Sequence, residues 1–230
     1  MSTEAPDTVE RPRRADALRN RERLLEVAQD VFAELGPDAS VAEIARRAGV
    51  GAGTLFRHFP TKDDLIAAVL ERTFDEMTST VYEALAMEDA WEGIVHVITG
   101  TAERQACDRT FLQSVGPDLF SQPRFRERNE RIMGQLGELL ERGQRAGQVR
   151  DDLSPEDLPF ILAAVGGATE QCPVAMTGCS PDLWRRYLGV LLDGMRPAAA
   201  HPLPTGPPTL DQLMAGKAAK AAARAGRRSG

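Results

Sequence analysis

The sequence lacks paired cysteines and any hydrophobic run long enough to cross a membrane. Cys107, Cys172 and Cys179 are odd in number and form no C-x-x-C pair, so they do not indicate a disulfide framework. The longest apolar run, from Leu158 to Ala168, contains two glycines and falls well short of the roughly 20 residues of a membrane helix. The N-terminal residues are polar and charged, so we expect a cytoplasmic protein with no membrane partner.

Catalytic signatures are also missing. The chain has three histidines, no G-x-S-x-G and no H-E-x-x-H. Gly49, Gly51 and Gly53 superficially suggest a phosphate-binding loop, but Thr54 stands where the dinucleotide fingerprint needs its third glycine, and the P-loop lysine is absent. We therefore expect no enzyme, no metal site and no cofactor.

Alternating apolar and polar runs, the mark of β-strands, are absent too, whereas apolar residues recur at helical spacing. These patterns predict an all-α fold with a three-helix domain over residues 18–61 and a C-terminal helical bundle over residues 62–196. Residues 1–17 are predicted to be a disordered leader, and residues 197–230 a disordered proline-rich and basic tail.

The charge is unevenly distributed around a net value of −6. Residues 11–62 hold ten Lys or Arg against seven Asp or Glu, whereas residues 81–200 hold twelve against eighteen. Because salt screens charges beyond about 8 Å, the local sign matters more to a charged partner than the total. An acidic body with a mildly basic N-terminal domain remains compatible with DNA binding.

The N-terminal domain begins with a helix from about Leu18 to Leu35, closed by Gly36 and Pro37. The second helix starts at Ser40, where Glu43 three residues on predicts a capping box, and it ends at Gly49. A third short helix covers Ala52 to Phe59, and Thr61 with Asp64 predicts a second capping box after it. Two short helices joined by a glycine turn, behind a first helix, are typical of a helix-turn-helix.

The segment from Val41 to Leu65, VAEIARRAGVGAGTLFRHFPTKDDL, strongly resembles the DNA-binding signature of the TetR family. The resemblance implies that the helix from Ala52 to Phe59 lies in the major groove of an operator. Thr54 would offer its hydroxyl to a phosphate or base edge, and Arg57 would make a bidentate contact with guanine. His58 and Lys62 would anchor phosphates. The DNA-binding candidates are Arg46, Arg47, Gly51, Gly53, Thr54, Phe56, Arg57, His58 and Lys62.

Several of these residues keep a second interpretation. Arg46 and Arg47 also suit the negative end of a helix dipole. Alternatively, Arg57 is a solvated charge and His58 is a surface histidine. The family often has serine where Gly51 stands and tyrosine where Phe56 stands. We therefore predict that DNA shape and phosphate positioning carry more of the specificity than usual.

The resemblance also implies a ligand-responsive repressor that binds a palindromic operator as a homodimer. Its dimer interface would use the last two long helices, about residues 155–172 and 181–195, and its body would sense a small-molecule effector. The pocket candidates are Phe74, Met77, Trp91, His96, Phe111, Phe120, Met133 and Gln171. Each of them also fits an ordinary position in the hydrophobic core. The alternative is a nonspecific DNA-binding or helical interaction protein, which the basic C-terminal tail would suit.

Overall fold

The structure, a computed structural model, describes residues 10–36, 39–107, 122–170, 182–212 and 215. Within these ranges it contains helices and no β-strand, which confirms the all-α prediction. None of these helices has the length and hydropathy of a membrane span. The α-helices are α1 (Glu10–Leu35), α2 (Val41–Arg47), α3 (Ala52–His58), α4 (Lys62–Ala86), α5 (Ala90–Cys107), α6 (Pro123–Arg145), α7 (Leu158–Glu170) and α8 (Leu183–Gly194).

The first helix starts earlier than the sequence predicts. It begins at Glu10 rather than near Leu18, so the prediction of a disordered leader is wrong over residues 10–17. This stretch lacks an apolar stripe, but it is rich in arginine and alanine, which favour helix. Its only proline, Pro12, falls in the first turn, where the missing amide costs no intrahelical hydrogen bond.

The N-terminal domain, called the head below, is built on the apolar stripe of α1. Leu24, Ala28 and Phe32 are fully buried and belong to one continuous core with Ile44 of α2 and Leu55 of α3. Gly36 closes α1 with φ 81°, in the left-handed region that the sequence predicts for it. Packing against this stripe therefore fixes how the two short helices are presented.

The body is organised around α4, which leaves the head and runs alongside α6. Arginines later along α6 pair with residues later along α4 or just after it, so the two helices run in the same direction. The N-terminus of α6 therefore lies at the end of the body nearest the head. From that end, Arg124 donates to Glu71 at 2.6 Å, Arg128 donates to Asp75, and Arg142 donates to the carbonyls of Leu85 and Met87 at 2.8 and 2.7 Å.

Residues 197–212 depart from the predicted disordered tail, because they pack back against the body. The Arg150 guanidinium donates to the His201 carbonyl, and the Leu203 amide donates to Asp152 at 3.3 Å. Further along, Leu210 is partly buried against the core. The sequence did not reveal this packing because its anchors lie about 50 residues or more away along the chain.

Gly93 of α5 marks a close approach of two helices. A Cβ there would lie 2.7 Å from the Ala84 carbonyl oxygen, so Gly93→Ala should lower the free energy of unfolding by about 1–3 kcal/mol. Gly134→Ala on α6 is the matched control, because its Cβ would meet nothing within 4 Å. It should raise the free energy of unfolding by up to about 1 kcal/mol through helix propensity. Urea unfolding followed by circular dichroism measures both, and equal effects would contradict the close approach.

Candidate nucleic-acid interface

The helix-turn-helix is formed by α2, a tight turn and α3. Ser40 caps α2, and its hydroxyl accepts the Glu43 amide at 3.1 Å. Gly49 has φ 67°, and the Val50 amide then donates to the Ala45 carbonyl at 3.0 Å, which closes α2 as predicted. Gly51 caps α3 with extended backbone and no side-chain hydrogen bond. Local hydrogen bonds thus set the turn between the two helices.

The third helix buries one side and leaves the other open. Leu55 and Phe59, four residues apart, are 1% and 2% exposed, whereas Phe56 is 45% exposed. A Cβ placed on Gly51 or Gly53 would meet nothing within 4 Å. The two glycines therefore allow a partner surface to approach the backbone closely at the start of α3, beside the exposed Phe56 ring.

Two of the predicted contact residues carry charges that are available to a partner. Arg57 is exposed and Lys62 is half-buried, and neither forms a hydrogen bond or ion pair through its side chain with the described part of the chain. Thr54 and His58 are half-buried, and the His58 ring lies 6.3 Å from the Phe59 ring, centroid to centroid. The face of α3 therefore combines a free guanidinium with an adjacent ammonium at the start of α4.

Arg46 and Arg47 are held by carboxylates, which corrects the predicted capping box at Ser40. The Glu43 carboxylate does not return to the Ser40 amide; it accepts from Arg46 at 2.7 and 2.8 Å and from Arg47 at 2.7 Å. Arg47 also donates to Glu34 of α1. The two guanidiniums lie one helical turn after Glu43 and are stronger hydrogen-bond donors than the single Ser40 amide, so the Glu43 carboxylate binds them instead.

These contacts change the acid–base properties of the cluster. Hydrogen bonds from Arg46 and Arg47 lower the pKa of Glu43 to about 2, and the Arg47 hydrogen bond lowers the pKa of Glu34. Arg47 thereby ties α2 to α1, while Arg46 pairs only with Glu43 among the described residues. Of the two side chains, that of Arg46 is the more exposed, at 70% against 31%.

Two basic residues of α1 join this surface, and the sequence analysis did not single them out. The Arg21 guanidinium lies 5.2 Å from the centre of the Phe59 ring. The Arg23 Nη2 atom lies 3.4 Å from the position of a Cβ on Gly49. Their signal in the sequence is their position off the apolar stripe of α1, but only the packing of α1 beside the turn brings them to it.

The start of α4 has the predicted capping box. The Thr61 hydroxyl accepts the Asp64 amide at 3.1 Å, and the Asp64 carboxylate accepts the Thr61 amide at 3.0 Å. The capping box thus occupies the Thr61 and Asp64 amides, and Lys62 places an ammonium next to them in the first turn of α4.

Comparison with known proteins matches both parts of the chain. The family model for bacterial regulatory proteins of the TetR family matches residues 24–69, and that for the C-terminal domain of SbtR-like transcriptional regulators matches residues 89–197. An HTH-type transcriptional regulator of Staphylococcus aureus strain MRSA252 is 35% identical over 85 residues, which are 36% of this chain and 44% of that protein. The aligned segment thus spans less than half of that relative's length.

The solved structures extend the match to nearly whole proteins. The chain is 35% identical to a TetR transcription regulatory protein from Mycobacterium vanbaalenii, with a TM-score of 0.60, over 80% of this chain and 98% of that one. The chain belongs to the TetR family of bacterial regulatory proteins. A TetR transcriptional regulator from Streptomyces coelicolor is 29% identical, with a TM-score of 0.59, over 78% and 99% of the two chains. Membership confirms the predicted family and the expectation of a transcriptional regulator rather than an enzyme.

In this TetR-family chain, the predicted pocket residues have different surroundings. Phe74 is buried, with its ring 5.7 Å from that of Phe125, and Met77 packs partly buried against the core. Trp91 is covered by the Arg196 guanidinium at 3.7 Å.

The remaining candidates divide between the surface, a groove and undescribed segments. His96 lies 3.3 Å from Glu83, with 38% of its side chain exposed. Met133 lines a groove between α6 and residues 153–156. Phe111, Phe120 and Gln171 lie outside the described residues. The structure therefore does not bring the described candidates together in one cavity, and the effector pocket stays a prediction.

The Glu43 cluster predicts a pH-dependent stability difference. Glu43→Gln should lower the melting temperature near neutral pH, because it removes the carboxylate that holds Arg46 and Arg47. Since the pKa of Glu43 is lowered to about 2, the stabilisation by its carboxylate is complete above the usual glutamate pKa. It is lost as the pH falls from the usual pKa to about 2, and the difference in melting temperature from wild type should shrink over that interval. Asp63→Asn, at an exposed carboxylate that pairs with no arginine in the described part of the chain, is the control; a difference constant with pH would contradict the assignment.

Proposed function

We propose that this chain is a sequence-specific DNA-binding regulator that binds a palindromic operator as a homodimer and acts as a ligand-responsive repressor. The observation that carries the proposal is the open outer face of α3, whose opposite face is fixed in the core by Leu55 and Phe59. A short, exposed helix behind a glycine turn is the part of a helix-turn-helix that enters the major groove.

In this proposal the interface residues divide by role. The guanidinium of Arg57 makes a bidentate contact with guanine, and the hydroxyl of Thr54 donates to a base edge or a phosphate. His58 and Lys62, together with Arg21 and Arg23, contact the phosphate backbone. Because Gly51, Gly53 and Phe56 offer no side-chain donor, groove shape contributes a large share of the discrimination.

The dimer interface is proposed on α7 and α8. Phe160 of α7 is 52% exposed, and Tyr187 and Val190 of α8 are 42% and 63% exposed. The exposed Ala163 and Ala164 of α7 allow a second subunit to approach closely. Large apolar side chains left open on two adjacent helices fit a four-helix interface between two copies, which sets the two α3 helices one DNA turn apart, about 34–36 Å.

Effector binding is proposed to act through α4. Arg72 of α4 donates to Glu22 of α1 at 2.7 Å and lies 3.5 Å from Glu26, while the preceding residue, Glu71, accepts from Arg124 of α6. Head and body thus contact neighbouring positions of one helix. A shift of α6 in the effector-bound body would change the spacing of the heads, with a typical coupling of about 1–3 kcal/mol.

The second candidate is a nonspecific DNA-binding or helical interaction protein. The observation that favours it is the tail beyond residue 215, which carries Lys217, Lys220, Arg224, Arg227 and Arg228 without any acidic residue. Selection of bound sequences from a random DNA pool separates the two functions. A recurring palindrome bound at least about 10³-fold more tightly than random DNA supports the sequence-specific regulator, whereas equal affinity supports the alternative.

The interface predicts two different mutational effects. Arg57→Ala should cost about 1–3 kcal/mol on the selected palindrome and relax preference at one position of each half-site. Lys62→Ala should weaken binding to palindrome and random DNA alike and reduce the salt dependence by about one phosphate contact per subunit. Fluorescence anisotropy on both DNAs at several salt concentrations measures these effects. Unchanged discrimination in an Arg57→Ala, Thr54→Ala double variant would refute base reading by these residues.

The dimer interface makes a separate prediction. Val190→Glu should convert the dimer to a monomer at micromolar concentration, because it would place two carboxylates in an apolar interface. Tyr82→Glu on α4 is the control, since Tyr82 is 55% exposed but lies outside α7 and α8. Sedimentation velocity measures both variants. A wild-type monomer, or equal dissociation of both variants, would count against the interface.

A further inference from the structure

The head carries two large apolar side chains that its core does not cover. Among its described residues these are Leu35, at the end of α1, and Phe56 of α3, which is 45% exposed. A single exposed apolar side chain is ordinary on a protein surface and indicates no function by itself. Phe56 differs from Leu35 because it lies on the open side of α3, the helix proposed to enter the major groove.

The helical period sets the position of Phe56 around α3. Leu55 and Phe59 mark the buried side, and Arg57 lies on the side opposite to them. Around the helix axis, Phe56 lies about 100° to one side of Arg57, and Thr54 lies about 60° to the other side. The outer face of α3 therefore has a polar flank and an apolar flank, with the guanidinium between them.

The apolar flank consists of Phe56 and Ala52, one helical turn apart. Both residues are exposed, and a Cβ on Gly53, next to Ala52, would meet nothing within 4 Å. Helical side chains lean toward the N-terminus of their helix, so the Phe56 ring is directed toward this first turn. In a helix-turn-helix, the first residues of the recognition helix are the ones that contact base edges. The ring is therefore directed toward the bases.

The Phe56 ring makes favourable contacts chiefly with apolar groups. It has no polar atom that could bind a phosphate, and it forms no ring–ring or cation–π contact within the described part of the chain. The ring is thus available to pack against a partner. The apolar group that a base pair presents in the major groove is the 5-methyl group of thymine, which phenylalanine and alanine side chains contact.

The neighbouring Arg57 indicates where such a thymine lies in a half-site. Consecutive Cα atoms are about 3.8 Å apart, which is close to the roughly 3.4 Å between successive base pairs. Contacts made by Phe56 and Arg57 therefore fall on the same base pair or on close neighbours.

We infer that Phe56, flanked by Ala52, contacts the 5-methyl group of a thymine within about two base pairs of the guanine bound by Arg57. The inference rests on the proposed DNA-binding function and adds to it a direct, apolar recognition of one base pair. Packing on the methyl group distinguishes thymine from cytosine, which presents an amino group instead. Base recognition by α3 thus has an apolar component beside the polar one.

The test uses the palindrome selected from the random pool. Each thymine of the half-site is replaced in turn by deoxyuridine, at the symmetric positions of both half-sites. Uracil lacks only the methyl group, so the hydrogen bonds of the base pair are unchanged. At one position near the guanine whose preference Arg57→Ala relaxes, the full-length dimer should bind about 15-fold more weakly. This loss corresponds to one buried methyl group, about 4-fold, in each half-site. Fluorescence anisotropy measures the affinities.

Two variants test whether the lost methyl contact belongs to Phe56. Phe56→Ala should bind the thymine and uracil operators with nearly equal affinity. It should not lower the melting temperature, because Phe56 lies outside the core of the head. Leu35→Ala is the matched control, since it removes a side chain of the head that is 49% exposed and lies outside α3. This control should keep the full difference between the two operators.

The other outcomes overturn the inference in distinguishable ways. If uracil weakens the binding of Phe56→Ala as strongly as that of wild type, the methyl group acts through DNA shape and not through Phe56. If both variants lose the difference, the effect is not specific to α3. If no thymine near the guanine is sensitive, the inference is wrong while the selected palindrome still supports the proposed function. If the full chain selects no palindrome, the proposed function fails, and the inference fails with it.

Discussion

The burial of Leu55 and Phe59 is the constraint on which the interface depends. Both side chains occupy the head core with Phe32 and Ile44, so α3 cannot rotate about its axis without exposing them. The exposure of Arg57 and the open positions at Gly51 and Gly53 follow from that burial. The orientation of the exposed side of α3 is thus fixed by the buried side of the same two-turn helix. The buried residues of α1 hold that buried side in place.

The helix α4 is also held by its buried side chains, and it contacts both the head and the body. Its first turns bury Leu65 and Val69 in the continuous core, while ion pairs on either side join it to α1 and to α6. Exposed ion pairs contribute little stability one by one, so the core holds the helix and the charges mainly define its neighbours. Under the proposed function, a movement of the body would be passed to the head through this helix.

Local patterns predicted the local features well. The Thr61–Asp64 capping box and the glycine turns at Gly36 and Gly49 depend on residues a few positions apart, and each has the predicted geometry. The Glu43 carboxylate was assigned to the wrong partner, because the pattern around Ser40 could not weigh an amide against two guanidiniums. The packing of residues 197–212 against the body was missed altogether. Its ion pair joins Arg126 to Asp211, 85 positions later, and no periodicity reports such a contact.

The scarcity of side-chain donors on α3 bears on how the proposed regulator would hold DNA. A recognition helix with one guanidinium and two open glycines gains much of its affinity from contacts that do not depend on base identity. Under the proposed function, the cations beside the turn make these contacts to the phosphate backbone. Because the same head carries both kinds of contact, a change in the spacing of two heads would weaken the phosphate contacts together with the base contacts.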